Sequence, residues 1–307
     1  MSENSPDPDT YALRTSDVAE IPAPNLDYTP PAPKSYRPNI GVIGAGGIVA
    51  SHLQAYRDAG WTVSAICNRT LARAQDRAAE FFPEARVTDR YQDVLEDRSI
   101  DVVDITPHPA DRLPIIEAAL KAGKHVLSQK PFVLDLDEGQ RLVELAAEMG
   151  CKLAVNQNGR WSPHMAWMRQ AVRAGLIGDV LSAHVAIHWD HSWIAGTEFE
   201  KIEDVILYDF GIHWFDFVNS LVPDRAQSVF ASSTRGIGQS AGAPLFAQAQ
   251  VRLDHGQASF VFDGGTGFGP KDTTYISGTK GSLVSEGPDL GQQVVTLTTA
   301  AGRAVPK

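Results

Sequence analysis

The sequence predicts an α/β chain: a doubly wound parallel sheet, then a second, α+β domain built on a large open, mostly antiparallel sheet. Three observations carry this. An apolar strand runs into a glycine loop over 40–47, strands and helices alternate from there to about residue 156, and period-2 patterns dominate from residue 180 onward. With 307 residues and 43% hydrophobic content the chain can bury two ordinary cores.

Residues 1–37 differ in kind. Pro6, Pro8, Pro22, Pro24, Pro30, Pro31 and Pro33 are spread through a polar segment with no apolar period, which reads as disordered or as an extended arm. Its Tyr11, Leu13, Ile21 and Tyr28 offer contacts for docking on a neighbouring subunit.

The first strand, 40–43, leads into Gly44-Ala45-Gly46-Gly47. Gly44 can take the positive φ of the turn, and Gly46 has no Cβ to hold a phosphate away. A helix over 47–59, starting at Gly47 and Ile48, presents free N–H groups and its positive dipole end. This is most of a dinucleotide fingerprint, although Val49 stands where the third glycine belongs and is expected to push helix and strand slightly apart.

A second strand at 61–67 and a helix at 70–81 follow. An acidic side chain that would bind ribose hydroxyls is replaced by Asn68-Arg69-Thr70. A neutral Asn68 does not repel a 2′-phosphate and Arg69 can pair with one, so NADP is favoured over NAD. Asn68 can also serve as a helix N-cap. The pattern continues with a short helix near 91–96, a strand at 100–106, a helix at 109–122, a strand at 125–128, a helix at 135–149 and a strand at 152–156. Right-handed crossovers put helices on both faces and open the ligand crevice at the carboxyl ends of the strands. A dinucleotide-binding Rossmann domain is therefore placed at 38–157 and a substrate-binding and oligomerisation domain at 158–307.

The loops that end the third and fourth long strands, Thr106-Pro107-His108 and Ser128-Gln129-Lys130-Pro131, lie on the glycine-loop edge and are expected to face the nicotinamide. An ammonium at Lys130 could exchange a proton with a substrate hydroxyl, or the residue could be an ordinary solvated lysine. Asp209 and His213 are spaced i, i+4 on a predicted helix, where a carboxylate can orient an imidazole to act as a general base; the alternative is a helix cap beside a core histidine.

Leaving the last parallel strand, Asn158, Arg160 and Trp161 are expected on the crevice floor. A helix at 163–174 and a long strand at 180–189 come next. Runs near 226–233, 245–253, 257–263, 273–278, 281–285 and 293–298 are expected to be its antiparallel neighbours. His188, His191 and Trp193 at the end of the long strand combine polar edges with indole faces, as carbohydrate recognition requires. A metal set of His188, His191, Asp209 and His213 is disfavoured for want of a ligand-type spacing.

A net charge of −10 and the lack of a Lys/Arg stripe argue against nucleic acid or an anionic membrane as partner. With no apolar run of about 18 residues and a polar N-terminus, a cytoplasmic location is expected. Cys67 and Cys151, far apart, are read as small core residues without a disulfide.

The glycine loop, the run Gly123-Lys124-His125-Val126-Leu127-Ser128-Gln129-Lys130-Pro131 and Asp209-x-x-x-His213 occur in this order at suitable separations. On these the chain resembles the Gfo/Idh/MocA oxidoreductases, named for glucose-fructose oxidoreductase, inositol dehydrogenase and a rhizopine catabolism protein. The resemblance extends from about residue 37 to about residue 285. It implies NAD(H) or NADP(H), oxidation or reduction of a secondary hydroxyl on a sugar, cyclitol or related polyol, Lys130 as motif lysine with Asp209 and His213 as partners, and a homodimer or homotetramer formed across the second sheet. Departures are Gln129 for the usual glutamate, which removes a carboxylate beside Lys130, His108 in place of a small polar group, and Arg112 where histidine is frequent. The chain also ends before a strand-and-helix segment that in relatives packs back on the nucleotide domain, as a fragment would. A second reading, an NADP(H)-binding sensor or assembly protein without turnover, stays open on Val49 and Gln129.

Overall fold

The structure, a computed structural model, describes residues 18–222 and 226–306. The expectations for Pro6, Pro8, Tyr11 and Leu13 lie outside the described residues. Two compact units divide the described chain, one formed by 29–161 with 204–217, the other by 18–28, 162–203, 218–222 and 226–306. The first therefore takes in a segment, 204–217, that a single cut near residue 157 assigns to the second domain.

In the first unit β1 (Asn39–Ile43), α1 (Val49–Asp58), β2 (Thr62–Cys67), α2 (Leu71–Phe81), β3 (Arg86–Thr88), α3 (Tyr91–Glu96), β4 (Val102–Ile105), α4 (Pro109–Lys121), β5 (His125–Gln129), α5 (Leu136–Glu148) and β6 (Leu153–Asn156) alternate as expected. Only β3, three residues long, was not read in advance. All strands are parallel in the order β3-β2-β1-β4-β5-β6, the doubly wound arrangement whose order reverses beside β1. Two cores lie on the two faces of this sheet. Val49, Leu53, Ala74 and Ala78 of α1 and α2 cover one face, and Ile116, Leu120, Leu142 and Ala146 of α4 and α5 cover the other. Val49, the residue in place of the third glycine, is wholly buried in the first of these cores, so its side chain is absorbed as packing volume.

In the second unit α6 (Pro163–Arg173) and β7 (Val180–His188) precede β8 (Ala226–Thr234), β9 (Phe246–Leu253), β10 (Gly256–Asp263), β11 (Lys271–Gly278), β12 (Gly281–Gly287), β13 (Val294–Thr299) and β14 (Gly302–Ala304). The strand order is β14-β13-β12-β11-β7-β10-β9-β8. Every pair is antiparallel except β7 with β10, which run parallel, so the sheet is mostly antiparallel as expected, although the run 257–263 is not the antiparallel neighbour of β7 it was read as. The described part of the arm pairs with its own chain: Ile21 N–H donates to Arg303 O, Arg303 N–H donates to Ala19 O, both at 2.8 Å, and Glu20 pairs with the Arg303 guanidinium. Cys67 is buried and Cys151 half-buried, both as free thiols. No helix among the described residues is long and apolar enough to cross a membrane.

His164 of α6 is buried, and the loss of hydration pulls its imidazole down to about 4. The unfolded chain, with histidine near 6.5, binds the proton first, so this group's stability is complete above pH 6.5 and is lost as the pH falls toward 4. Asp272 of β11, raised by burial to about 7, acts in the opposite sense, gaining stability as the pH falls from 7. Comparing His164→Leu with wild type isolates the histidine. The variant is expected to gain about 2 kcal/mol relative to wild type between pH 6.5 and 5, measured by urea unfolding. A difference that stays constant with pH rules the assignment out.

Candidate active site

The loop after β1 sets the first half of the site. Gly44 has φ +107°, and a Cβ there would collide with Thr106 Oγ1, so only glycine fits. An added Cβ on Gly46 or Gly47 would meet open space, as a backbone made to be approached requires. α1 begins at Val49, two residues later than expected, with Gly47 and Ile48 in the turn before it.

Over this loop lies a cleft of about 550 Å³ lined by Gly44, Ala45, Gly46, Asn68, Arg69, Thr106, Pro107 and His108 among others. Its residues fit a dinucleotide: a glycine turn with nothing projecting from Gly46, a strand edge at β4 and a basic rim. Gly47, Ile48, Thr70, Gln129 and Lys130, also expected to contact the cofactor, do not line it. Thr70 is the N-cap of α2, the role that Asn68 was also offered. Asn68 instead braces the loop, its Oδ1 accepting from Ala45 N–H at 3.0 Å and its Nδ2 donating to Thr70 O at 2.9 Å. Arg69 is exposed and bonded to Asp111 at 3.0 Å. Two further arginines, Arg73 and Arg90, line the same cleft. Arg73 was legible one turn after Arg69 on α2, whereas Arg90 depends on the unread strand β3.

The second half of the site is at the end of β5. Lys130 Nζ donates to Asp209 O at 2.7 Å and lies 3.2 Å from Asp209 Oδ2, both side chains largely buried. Burial pulls Lys130 below the ordinary lysine range, Asp209 opposes the shift, and Arg112 adds to it. Gln129 does not supply that effect. Its Oε1 accepts from Lys130 N–H at 2.6 Å and its amide nitrogen faces His52 Nε2 at 3.2 Å.

Asp209 does not orient His213 as the i, i+4 spacing implied. Residues Ile206–Phe210 form a π-helix, Gly211 N–H donating to Ile206 O, before α7 (Ile212–Asn219) begins. Asp209 meets Lys130, whereas His213 Nδ1 has no hydrogen-bond partner among the described residues. Burial and then the Lys130 ammonium hold His213 down to about 4, so its imidazole is neutral at neutral pH. An added Cβ at Gly159 would sit 3.3 Å from His213 Nδ1, so the glycine admits the ring.

Arg112, missed as a functional residue, is wholly buried. Its guanidinium donates to the carbonyls of Gln129, of Lys130 at 3.3 Å and of Pro131 at 2.5 Å, holding the loop from which Lys130 projects. Arg160, from the 3-10 turn Asn158–Trp161, donates two hydrogen bonds to Asp216 at 2.5 and 2.6 Å, which commits it to a carboxylate within the fold. Trp161 is partly exposed. In the other unit His188 lies 3.6 Å from Asp263, His191 stacks on Trp189 with centroids 6.4 Å apart, and the exposed Trp193 packs edge-on to Phe199. The His191 and Trp193 rings also lie 6.3 Å apart.

A glycine-loop cleft on a doubly wound sheet, with a buried ammonium at a neighbouring strand end, defines a nucleotide-binding Rossmann fold. Residues 38–157 match the oxidoreductase family with NAD-binding Rossmann fold, and residues 165–284 match the GFO/IDH/MocA C-terminal domain. The chain belongs to the Gfo/Idh/MocA family.

It is 29% identical over 194 residues to the D-apiose dehydrogenase of Paraburkholderia graminis, covering 62% of this chain and 52% of that one. It is 30% identical over 193 residues to the inositol 2-dehydrogenase of Corynebacterium glutamicum, covering 62% and 56%. The chain thus spans about half the length of these curated relatives. Among solved structures, an oxidoreductase from Agrobacterium radiobacter in complex with NAD+, L-tartaric acid and magnesium superposes with a TM-score of 0.79 at 21% identity, covering 88% of this chain and 79% of that one. A levoglucosan dehydrogenase in complex with NADH gives 0.75 at 21% identity, with the same coverages. These likenesses show a shared fold.

Proposed function

We propose that this protein is an NADP(H)-preferring oxidoreductase interconverting a secondary alcohol and a ketone on a sugar, cyclitol or related polyol. The observation that carries the reading is the buried Lys130–Asp209 pair, with His213 neutral nearby, in the same unit as the glycine-loop cleft. The relatives named for apiose and inositol support the substrate class. A sensor has no use for such a pair.

When bound, the nicotinamide supplies or accepts the hydride; the glycine loop, Asn68 and Thr106 would hold the dinucleotide. Lys130, drawn down from the ordinary lysine range, is the better proton-exchanging group, because a base near 4 has little driving force to deprotonate an alcohol. Neutral His213 donates its ring N–H to the same oxygen and fixes it, leaving the hydroxyl proton to Lys130, while Asp209 offsets the cost of burying the ammonium. Asn158 and Trp161, in the same unit, are proposed to contact substrate. The test is a panel of polyols and ketosugars with both nicotinamide cofactors; no turnover on any of them with either cofactor sinks the reading.

The preference for the 2′-phosphate rests on the neutral Asn68 and the rim of Arg69, Arg73 and Arg90. Asn68→Asp keeps the acceptor for Ala45 N–H but adds a charge at the ribose. We expect NADP binding to weaken about tenfold or more with NAD binding little changed, read by fluorescence titration of the reduced cofactors. Equal losses for both cofactors would refute the preference. Self-association is proposed across the outer face of the second sheet, where Tyr275, His184, Ser259, Gln250 and the exposed Phe230 stand in register on adjacent strands.

A further inference from the structure

Beneath the Lys130 loop a line of buried polar groups crosses the sheet. Tyr56 OH donates to Asp104 Oδ2 at 2.8 Å, and His52 Nδ1 lies 2.7 Å from the same oxygen. Asp104 is wholly buried and His52 nearly so. On its other side His52 Nε2 faces the Gln129 amide at 3.2 Å and the Asn156 amide at 3.0 Å. Gln129 then accepts from Lys130 N–H at 2.6 Å.

The protons in this line follow from that last bond. A main-chain N–H can only donate, so the Gln129 atom beside it is the oxygen, and the atom facing His52 is the amide nitrogen, which also only donates. His52 Nε2 must therefore be the bare acceptor. The ring proton sits on Nδ1, where Asp104 accepts it, as in other carboxylate-oriented imidazoles.

We propose that His52 is a positioning residue for Lys130: held by Asp104 and Tyr56 in its neutral Nδ1–H form, it anchors the Gln129 side chain, which fixes the Lys130 main chain. Gln129 is then part of the device. A glutamate there would present an acceptor to Nε2 and demand a second proton on the ring. The catalytic relevance of this line rests on the reading of Lys130 given above, whereas the hydrogen bonds themselves do not.

The test uses the full chain labelled with ¹⁵N-histidine. Long-range ¹⁵N–¹H spectra should show His52 protonated on Nδ1 alone, and Gln129→Glu should convert that ring to the doubly protonated form. A wild-type proton on Nε2, or a neutral His52 in Gln129→Glu, overturns the proposal. In parallel, His52→Leu should speed hydrogen exchange at the Lys130 amide by about tenfold. His52→Gln, whose amide can donate to Asp104 and accept from Gln129, should stay within about threefold of wild type. Unchanged exchange in His52→Leu also overturns it. Should His52→Leu fail to fold, the Gln129→Glu spectrum decides. Turnover of the polyol panel by Lys130→Ala bears on the catalytic reading alone, so the two can fail separately.

Discussion

Lys130→Ala is expected to lower turnover by about 10²–10⁴-fold, the range spanned by a positioned acid–base group, with the dissociation constant of the cofactor within about threefold of wild type. The split follows from geometry. Lys130 projects toward Asp209 and does not line the dinucleotide cleft, so its loss removes chemistry and leaves binding. In the oxidation direction a lysine that must accept a proton makes the rate rise with pH through its lowered pKa, and the variant should lose that limb. A spectroscopic companion is available in His213. The Lys130 ammonium contributes to holding it at about 4, so in the variant its titration should move upward. Turnover within threefold of wild type, or an unmoved His213, would remove Lys130 from the site.

Arg112→Leu is expected to cost about 2–4 kcal/mol and to lower the melting temperature by roughly 5–15 °C. Replacing a buried charge by an apolar side chain is often harmless when its partners go with it. Here they stay. The carbonyls of Gln129, Lys130 and Pro131 would remain buried without the guanidinium that bonds all three. Arg112→Lys should not rescue, since one ammonium lacks the planar fork that reaches three oxygens. Turnover should fall further than thermal loss explains, because the same loop carries Lys130. A melting temperature within two degrees of wild type in Arg112→Leu would show that the clamp contributes nothing.

The elements of the fold were largely legible because their signals are local. Period-3.6 and period-2 patterns marked the long helices and strands to within a residue or two, and Gly44 announced its turn through the one residue type able to make it. The three-residue strands β3 and β14 were too short to show a period. The Lys130, Asp209 and His213 trio was visible as residue types at suitable separations, but its wiring was not. A π-turn leaves no periodic mark, so the sequence paired Asp209 with His213 where the fold pairs it with Lys130. Arg112 was marked only as a departure where histidine is frequent, and its clamp on three carbonyls left no local signal. Only Asp104, an acid inside the apolar run Val102-Val103-Asp104-Ile105, hinted that something polar is buried beneath the loop.

The sequence by itself determined the order of strands and helices, the glycine turn and the residue types at the site, since each depends on the conformational preferences of neighbours along the chain. Tertiary structure alone decided that 204–217 packs with the nucleotide unit, that residues 19–21 pair with β14, and that Arg112, His52 and Gln129 face inward to hold Lys130. Those outcomes depend on which distant groups share a desolvated space, where an unpaired donor or acceptor is costly, and no local pattern records that pairing.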